Sequence, residues 1–311
     1  MSEYFDNKDL FLEPKVTQYG NHMVMTNVVK SIKHKYYNID TRFSDDYEKY
    51  CNMKQRSFNI TLPQRINDVK SIMVCNSEIP ISYYNISESF GNNSFQIIKS
   101  SDNTTKTIII KDGNYNASTL MNEVQVEINK VGFLDISFII NNKSSFDTSN
   151  NYVFNFAINT TMTESGTSFN TDTDKFNFKS KLGWLLGFRN ITYTNIKNIT
   201  SEAFVDLYGP RYLYLVIDEF NNGNQNSFIS PLYSSLLNKN ILAKITIDNK
   251  HYGFGTILTA NNFNGYLLTD KRSYNGKVDL HRLKIQLVNE IGIPVDLNGL
   301  DFSFTLEIDY E

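Results

Sequence analysis

Histidine, cysteine, serine and paired carboxylates are the residue types from which this 311-residue chain could build a reactive centre, and their spacing forms none of the familiar patterns. No two of the four histidines, His22, His34, His251 and His281, stand at helical metal-ligand spacing or in a His-x-His strand pair. Zinc is therefore not expected, and each histidine reads as a surface or interface side chain. A serine nucleophile asks for Gly-x-Ser-x-Gly on a strand-to-helix turn; the nearest text, Glu164-Ser165-Gly166, lacks the first glycine and sits in polar sequence. His251-Tyr252-Gly253-Phe254-Gly255 has close glycines but neither phosphate-loop nor dinucleotide spacing, so it reads as a tight turn between strands. Asp45-Asp46 and Asp218-Glu219 are paired carboxylates, yet nothing in the sequence makes two of them face each other across a cleft as glycoside hydrolysis requires. Asp218-Glu219, next to Asn221-Asn222-Gly223, reads as a solvated strand end without the spacing of an EF-hand calcium loop. Tyr36-Tyr37, Tyr83-Tyr84 and Tyr193 are candidates for stacking on sugars or bases, set against packing roles for most of the 19 tyrosines. No catalytic, cofactor-binding or metal-binding residue is assigned, and the chain reads as a non-enzyme.

Charge and composition exclude further classes. A net charge of −3 supplies no field to hold phosphate backbones, so nucleic acid is not an expected partner. No run of eighteen apolar residues occurs, and Met1-Ser2-Glu3-Tyr4-Phe5-Asp6 has neither a basic start nor an apolar stretch; neither a transmembrane segment nor a secretory signal is expected. Two cysteines, Cys51 and Cys75, suit a chain made in a reducing cytosol, and a bridge between them is not expected. Asn59, Asn85, Asn92, Asn103, Asn116, Asn142, Asn159, Asn190 and Asn198 head glycosylation sequons, but so many asparagines generate sequons by composition alone.

The elements that must position any site are strands. Residues 1–56 are polar and charge-mixed and read as an extended N-terminal arm, either a disordered tail or a segment that orders against a neighbouring subunit. From Phe58 the apolar residues recur with period two. Phe58, Ile60 and Leu62 form a run that stops at Pro63; Val69–Val74 form another ended by Ile79-Pro80. Phe95–Ile98, Thr107–Ile110, Ile136–Ile140 and Tyr152–Ile158 follow, then Ile241–Ile247, Leu283–Leu287 and Phe302–Ile308. Tyr212–Ile217 is apolar on both faces and reads as a strand buried between layers. Asn264-Gly265, Asn275-Gly276 and Asn298-Gly299 are turn signals. Two helices interrupt the strands. One follows Asn116 as N-cap, with Leu120, Val124, Ile128 and Val131 on one face and Gly132 past its end; the other spans Ser180–Phe188 and stops near Gly187. The pattern predicts an all-β fold, an antiparallel β-sandwich of jelly-roll type with one or two short helices, over 57–311, with room for an insertion around 160–205.

An ordered set of segments carries a family resemblance: Lys35-Tyr36-Tyr37-Asn38-Ile39-Asp40-Thr41-Arg42-Phe43, Phe58-Asn59-Ile60-Thr61-Leu62-Pro63, Val69-Lys70-Ser71-Ile72 leading to Glu78-Ile79-Pro80, and Tyr83-Tyr84-Asn85-Ile86-Ser87. Gly91-Asn92-Asn93-Ser94-Phe95, Ile109–Tyr115, Leu182–Phe188, Gly209-Pro210-Arg211-Tyr212-Leu213 and Asp301–Glu307 continue it. Together, over roughly 35–311, they resemble penton and minor capsid proteins of nucleocytoplasmic large DNA viruses. The resemblance implies a jelly-roll virion protein made in the host cytoplasm. It implies a homopentamer at the icosahedral vertices, in contact with a double jelly-roll major capsid protein and other minor capsid proteins. It carries over no catalytic residue. A non-vertex minor capsid or lattice protein, a carbohydrate- or receptor-binding jelly roll, and a β-sandwich hydrolase are the competing readings.

Overall fold

Alternating apolar and polar side chains over Phe58–Pro80 make one 23-residue strand, and this strand is the spine of the structure. The computed structural model describes residues 15–17, 20–22, 31–45, 57–157, 178–220 and 240–311. In chain order the strands are β1 (Lys15–Thr17), β2 (Gly20–His22), β3 (Lys33–Asp40), β4 (Phe58–Pro80), β5 (Ser94–Lys99), β6 (Thr105–Ile109), β7 (Ile136–Asn141) and β8 (Lys143–Asn155). They continue as β9 (Thr192–Thr200), β10 (Tyr212–Asp218), β11 (Ile241–Thr246), β12 (Ile257–Asn261), β13 (Leu267–Thr269), β14 (Arg272–Asn289) and β15 (Ser303–Tyr310). The two runs expected to end at Pro63 and to resume at Val69 are both parts of β4. Between Thr61 and Ile66 the ladder to β14 loses its regular register, so Pro63, which has no N–H to donate, falls where regular pairing is already broken.

Eight strands form the main sheet, all antiparallel. β4 carries β14 and then β12 along one edge and β15 along the other. β10, β11 and β13 extend the sheet beyond β14, and β3 closes the far side on β15. β11 and β13 also touch β4, which is not their ladder neighbour, so the sheet curls over itself into two layers. Val69, Ile72, Val74, Leu215, Ile245, Leu283 and Leu306 fill the space between. β10 is apolar on both faces, as its sequence indicates: Leu213, Leu215 and Ile217 enter this core, while Tyr214 and Val216 pack with Ile241 and Val288 on the other side. The fold class is the expected one: an all-β, antiparallel β-sandwich of jelly-roll type, with two α-helices among the described residues.

The arm boundary at residue 56 is corrected. Residues 33–40 are β3, paired along its whole length with β15 from Ser303 opposite Asp40 to Tyr310 opposite Lys33. Only Ile39 of β3 is buried and Tyr37 half-buried; Lys33, His34, Lys35 and Tyr36 face solvent, so the period-two signal there was too faint to separate from a polar tail. Asn275-Gly276 is likewise not a turn between strands. It lies inside β14, at a bulge where the register to β4 shifts between Ser273 and Val278, with Gly276 at φ 107°.

Between Tyr83 and Gly209 the chain builds a second sheet, in the order β6-β5-β8-β7 with β9 on β8. The insertion is therefore far larger than 160–205. Its core centres on Phe146, whose ring lies 4.6 Å from Phe138 and Phe154 and 5.8 Å from Phe95. Helix α1 (Ala117–Lys130) presents Leu120, Val124 and Ile128 to that core. Asn116 caps it as expected: its Oδ1 accepts the Thr119 N–H at 2.9 Å, and its own N–H donates to Thr119 Oγ1 at 3.0 Å.

Helix α2 (Leu182–Leu185) ends in a Schellman motif, Phe188 N–H donating to the Gly183 carbonyl and Gly187 N–H to that of Trp184. Gly187 has φ +92°, and a Cβ there would meet the Ala203 carbonyl oxygen at 2.2 Å. Gly187→Ala is therefore expected to destabilise the protein by more than about 2 kcal/mol, seen as a lower midpoint in chemical denaturation. An unchanged midpoint would show that the Ala203 backbone yields freely.

The junction between the two sheets is knotted by amides. Asn85 Nδ2 donates to the carbonyls of Tyr115 and Leu207, both at 2.7 Å, and its Oδ1 accepts Tyr115 N–H at 2.8 Å. Asn92 Nδ2 reaches the Asn85 carbonyl at 2.8 Å. Both asparagines are buried, so these two sequons are closed to glycan in the folded chain. Glu290 lies near Tyr83 and Arg211 at the same junction, with a buried Oε2 that has no hydrogen-bond partner. Burial raises its carboxyl pKa above the ordinary glutamate value, against the Arg211 charge and N–H. The folded state then holds this proton more tightly than the unfolded state, and its contribution to stability falls as pH rises through the raised value. Glu290→Gln should melt higher than wild type at neutral pH, the gain shrinking as pH falls from the raised value toward about 4.3 and vanishing below it; a gain that did not depend on pH would contradict this.

Candidate assembly surface

The side chains singled out by type fall at separate places in the fold. His34 Nδ1, on β3, is 2.5 Å from Asp309 Oδ1 and 4.0 Å from Glu307 Oε1, both on β15. Lys271 Nζ approaches the same carboxylates at 2.8 and 3.5 Å. Burial opposes ionisation of Asp309, but hydrogen bonds from Lys271, Ser71 and His34 outweigh it and hold its pKa below the usual range. His251 Nδ1 sits 2.5 Å from Asp248 Oδ2; that bond, with the Lys250 N–H and the Tyr266 hydroxyl, brings Asp248 down to about 2. The 251–255 segment is a turn, as read from its glycines, pinned by Gly255 N–H on the Ile81 carbonyl. His281 is exposed on β14, and the side chain of His22 lies outside the described residues.

Asp45 accepts both the N–H and the hydroxyl of Thr61, while Asp46, Cys51, Asn159 and Glu164-Ser165-Gly166 lie outside the described residues. Cys75 is a free thiol 3.6 Å from Glu307 Oε2; burial and the Glu307 charge push it up to about 11, away from nucleophilic use at neutral pH. The tyrosines share no platform. Tyr36 is exposed on β3, Tyr83 is buried, Tyr84 stacks on Phe254 at 5.9 Å, and Tyr193 donates its hydroxyl to Glu202 in the inserted sheet.

The solvated strand end expected at Asp218-Glu219 is a correction. Asp218 does cap the Phe220 N–H, but Glu219 is buried. Its Oε2 accepts Arg272 Nη1 at 2.8 Å and its Oε1 accepts the Tyr274 hydroxyl at 3.0 Å. Arg272 also donates to the carbonyls of Ile217 and Ile241, so one guanidinium ties together β10, β11 and β14. Burial and the neighbouring Glu219 charge raise the Tyr274 pKa, keeping that hydroxyl a donor. These groups are buried together and join three strands of the sheet.

An open cleft of about 490 Å³ lies where β3, β4, β12 and β15 meet, with Asp40, Glu78 and Asp301 on its walls. Arg42 binds Asp40 through Nε and Nη2 and lowers its pKa, opposite to what a general acid needs. Asp301 accepts the Thr41 hydroxyl and Glu78 that of Ser303. Ile257 and Leu300, which also line the cleft, are exposed.

Ile257 also lies on an uncharged stretch of surface. From Tyr252 to Thr269, eighteen consecutive residues carry no charge, in a chain that is 20% charged. The segment holds β12 and β13, and among the described residues each pairs along one edge only. Along it Phe254, Ile257, Phe263 and Leu268 are exposed, Phe263 completely at the tip between the strands. Soluble monomers guard such edges with lysine, proline or bulges; uncharged edges with outward apolar side chains are surfaces that pair. The sequence showed the glycines here but not which side chains face out.

No helix among the described residues is long and apolar enough to cross a membrane. No protein-family model matches the chain, and no curated protein matches it. Among solved structures, the mavirus penton protein (selenomethionine-labelled) is similar over 91% of this chain and 100% of that chain, at 11% identity and a TM-score of 0.40. A likeness at that level assigns no function.

Proposed function

We propose that this chain is a structural virion subunit, a penton that closes five copies into a ring at an icosahedral vertex and there meets a double jelly-roll major capsid protein. The observation that carries the reading is the uncharged Tyr252–Thr269 segment, with exposed Phe254, Ile257, Phe263 and Leu268 beside the cleft. A surface of this kind is stable in water only when a neighbour covers it. A ring closes through heterologous contacts, in which one patch meets a different patch on the next copy, so a single sticky edge and a receiving groove on each subunit suffice. The ordered resemblance over residues 35–311 supports the same class of protein. Cryo-electron microscopy of the virion tests it: density for this chain at the fivefold vertices is the expected result. Its absence from the shell would end the proposal, and a position between vertices would favour the non-vertex minor capsid reading.

A further inference from the structure

We infer that His34, Glu307 and Asp309 form a binding site for a divalent cation of the zinc type, one that bolts the edge strand β3 to β15. Sequence spacing conceals the set, because His34 and Asp309 are 275 residues apart and meet only through strand pairing. Asp309 lies directly opposite His34 in the ladder, and Glu307, two residues earlier, points to the same face. One donor atom from each residue falls within a mutual 4.8 Å. Zinc bonds of about 2.0–2.2 Å to nitrogen and oxygen place tetrahedral donors roughly 3.3–3.6 Å from one another. The observed separations from His34 Nδ1, 2.5 Å to Asp309 and 4.0 Å to Glu307, bracket that value.

One imidazole and two carboxylates suit zinc, cobalt or nickel; calcium would ask for six to eight oxygens. In the cation's absence Lys271 Nζ holds the two carboxylates together. Its side chain is 44% exposed, so it can swing into water as the cation enters, and an exposed ammonium gives up little by leaving. Asp309 is itself buried and fixed by the Ser71 hydroxyl at 2.8 Å, which pre-orients the donor the cation needs. Bound metal would join β3 to β15 beyond their backbone ladder and raise the melting temperature by a few degrees at saturating concentration.

Isothermal titration of the chelator-stripped full chain with zinc chloride tests the assignment. The expected result is a stoichiometric site whose affinity falls at least about tenfold in His34→Ala, an exposed position that leaves the fold intact. Affinity should rise in Lys271→Met, which removes the competing ammonium, and stay unchanged in His251→Ala. Equal affinity in wild type and His34→Ala overturns the assignment, as does the lack of a stoichiometric zinc event or weaker binding by Lys271→Met.

Discussion

Replacing Glu219 with alanine is expected to lower stability by about 3–5 kcal/mol, because it leaves the Arg272 guanidinium buried without its carboxylate. The side chains of both residues are essentially sealed, at 0% and 1% exposure, so water cannot replace the lost partner. Arg272 would keep its bonds to the Ile217 and Ile241 carbonyls, and the Tyr274 hydroxyl would lose its bond to Glu219. Urea denaturation followed by circular dichroism measures the loss. The double replacement of Glu219→Leu with Arg272→Met should recover most of it, since exchanging a whole buried pair for apolar groups of similar size is often neutral. A single variant as stable as wild type would mean that the guanidinium escapes to solvent, contrary to the packing seen.

Phe304→Asp should be more severe, leaving no folded protein at ambient temperature. Phe304 is 1% exposed on β15, flanked by Ile39 across one ladder and Ser77 across the other, with the Phe302 ring 6.1 Å away. A carboxylate there has no cation to meet, and shifting β15 by one residue to release it would turn Leu306 and Ile308 out of the core as well. The expected loss exceeds about 4 kcal/mol, read as insoluble expression or absence of a cooperative melt. A soluble variant with an unchanged melting temperature would contradict the role of β15 as a core strand.

What could be read from the sequence were elements whose signal is local. Phe302, Phe304, Leu306 and Ile308 alternate cleanly because β15 lies between β3 and β4 with one face in the core. Helix α1 was legible through its cap and its apolar stripe, which are both local. β3 was not: its residues add an edge to a finished sheet, so few of them are buried and the amphipathic signal is weak. β4 was split at Pro63 because a proline normally stops a strand, and only the broken ladder beside it shows why this one does not.

Pairings between distant residues were beyond reach. Glu219 and Arg272 are 53 residues apart, and the carboxylate that looked solvated at a strand end is buried because β14 brings a guanidinium to it. His34 was placed at the surface, correctly for its ring, but its carboxylate neighbours come from the other end of the chain. The assembly surface was half legible. Its lack of charge stands in the sequence, yet only the fold shows that Ile257 and Leu268 point outward.

The central claim is that this surface meets further copies of the same chain, and mass photometry of the purified protein tests it most directly. A dominant species at five times the 35.9 kDa chain mass is predicted, with Phe263→Glu shifting the population toward single chains. A wild-type protein that stays at the single-chain mass across the accessible concentration range, alone and with major capsid protein, would contradict it.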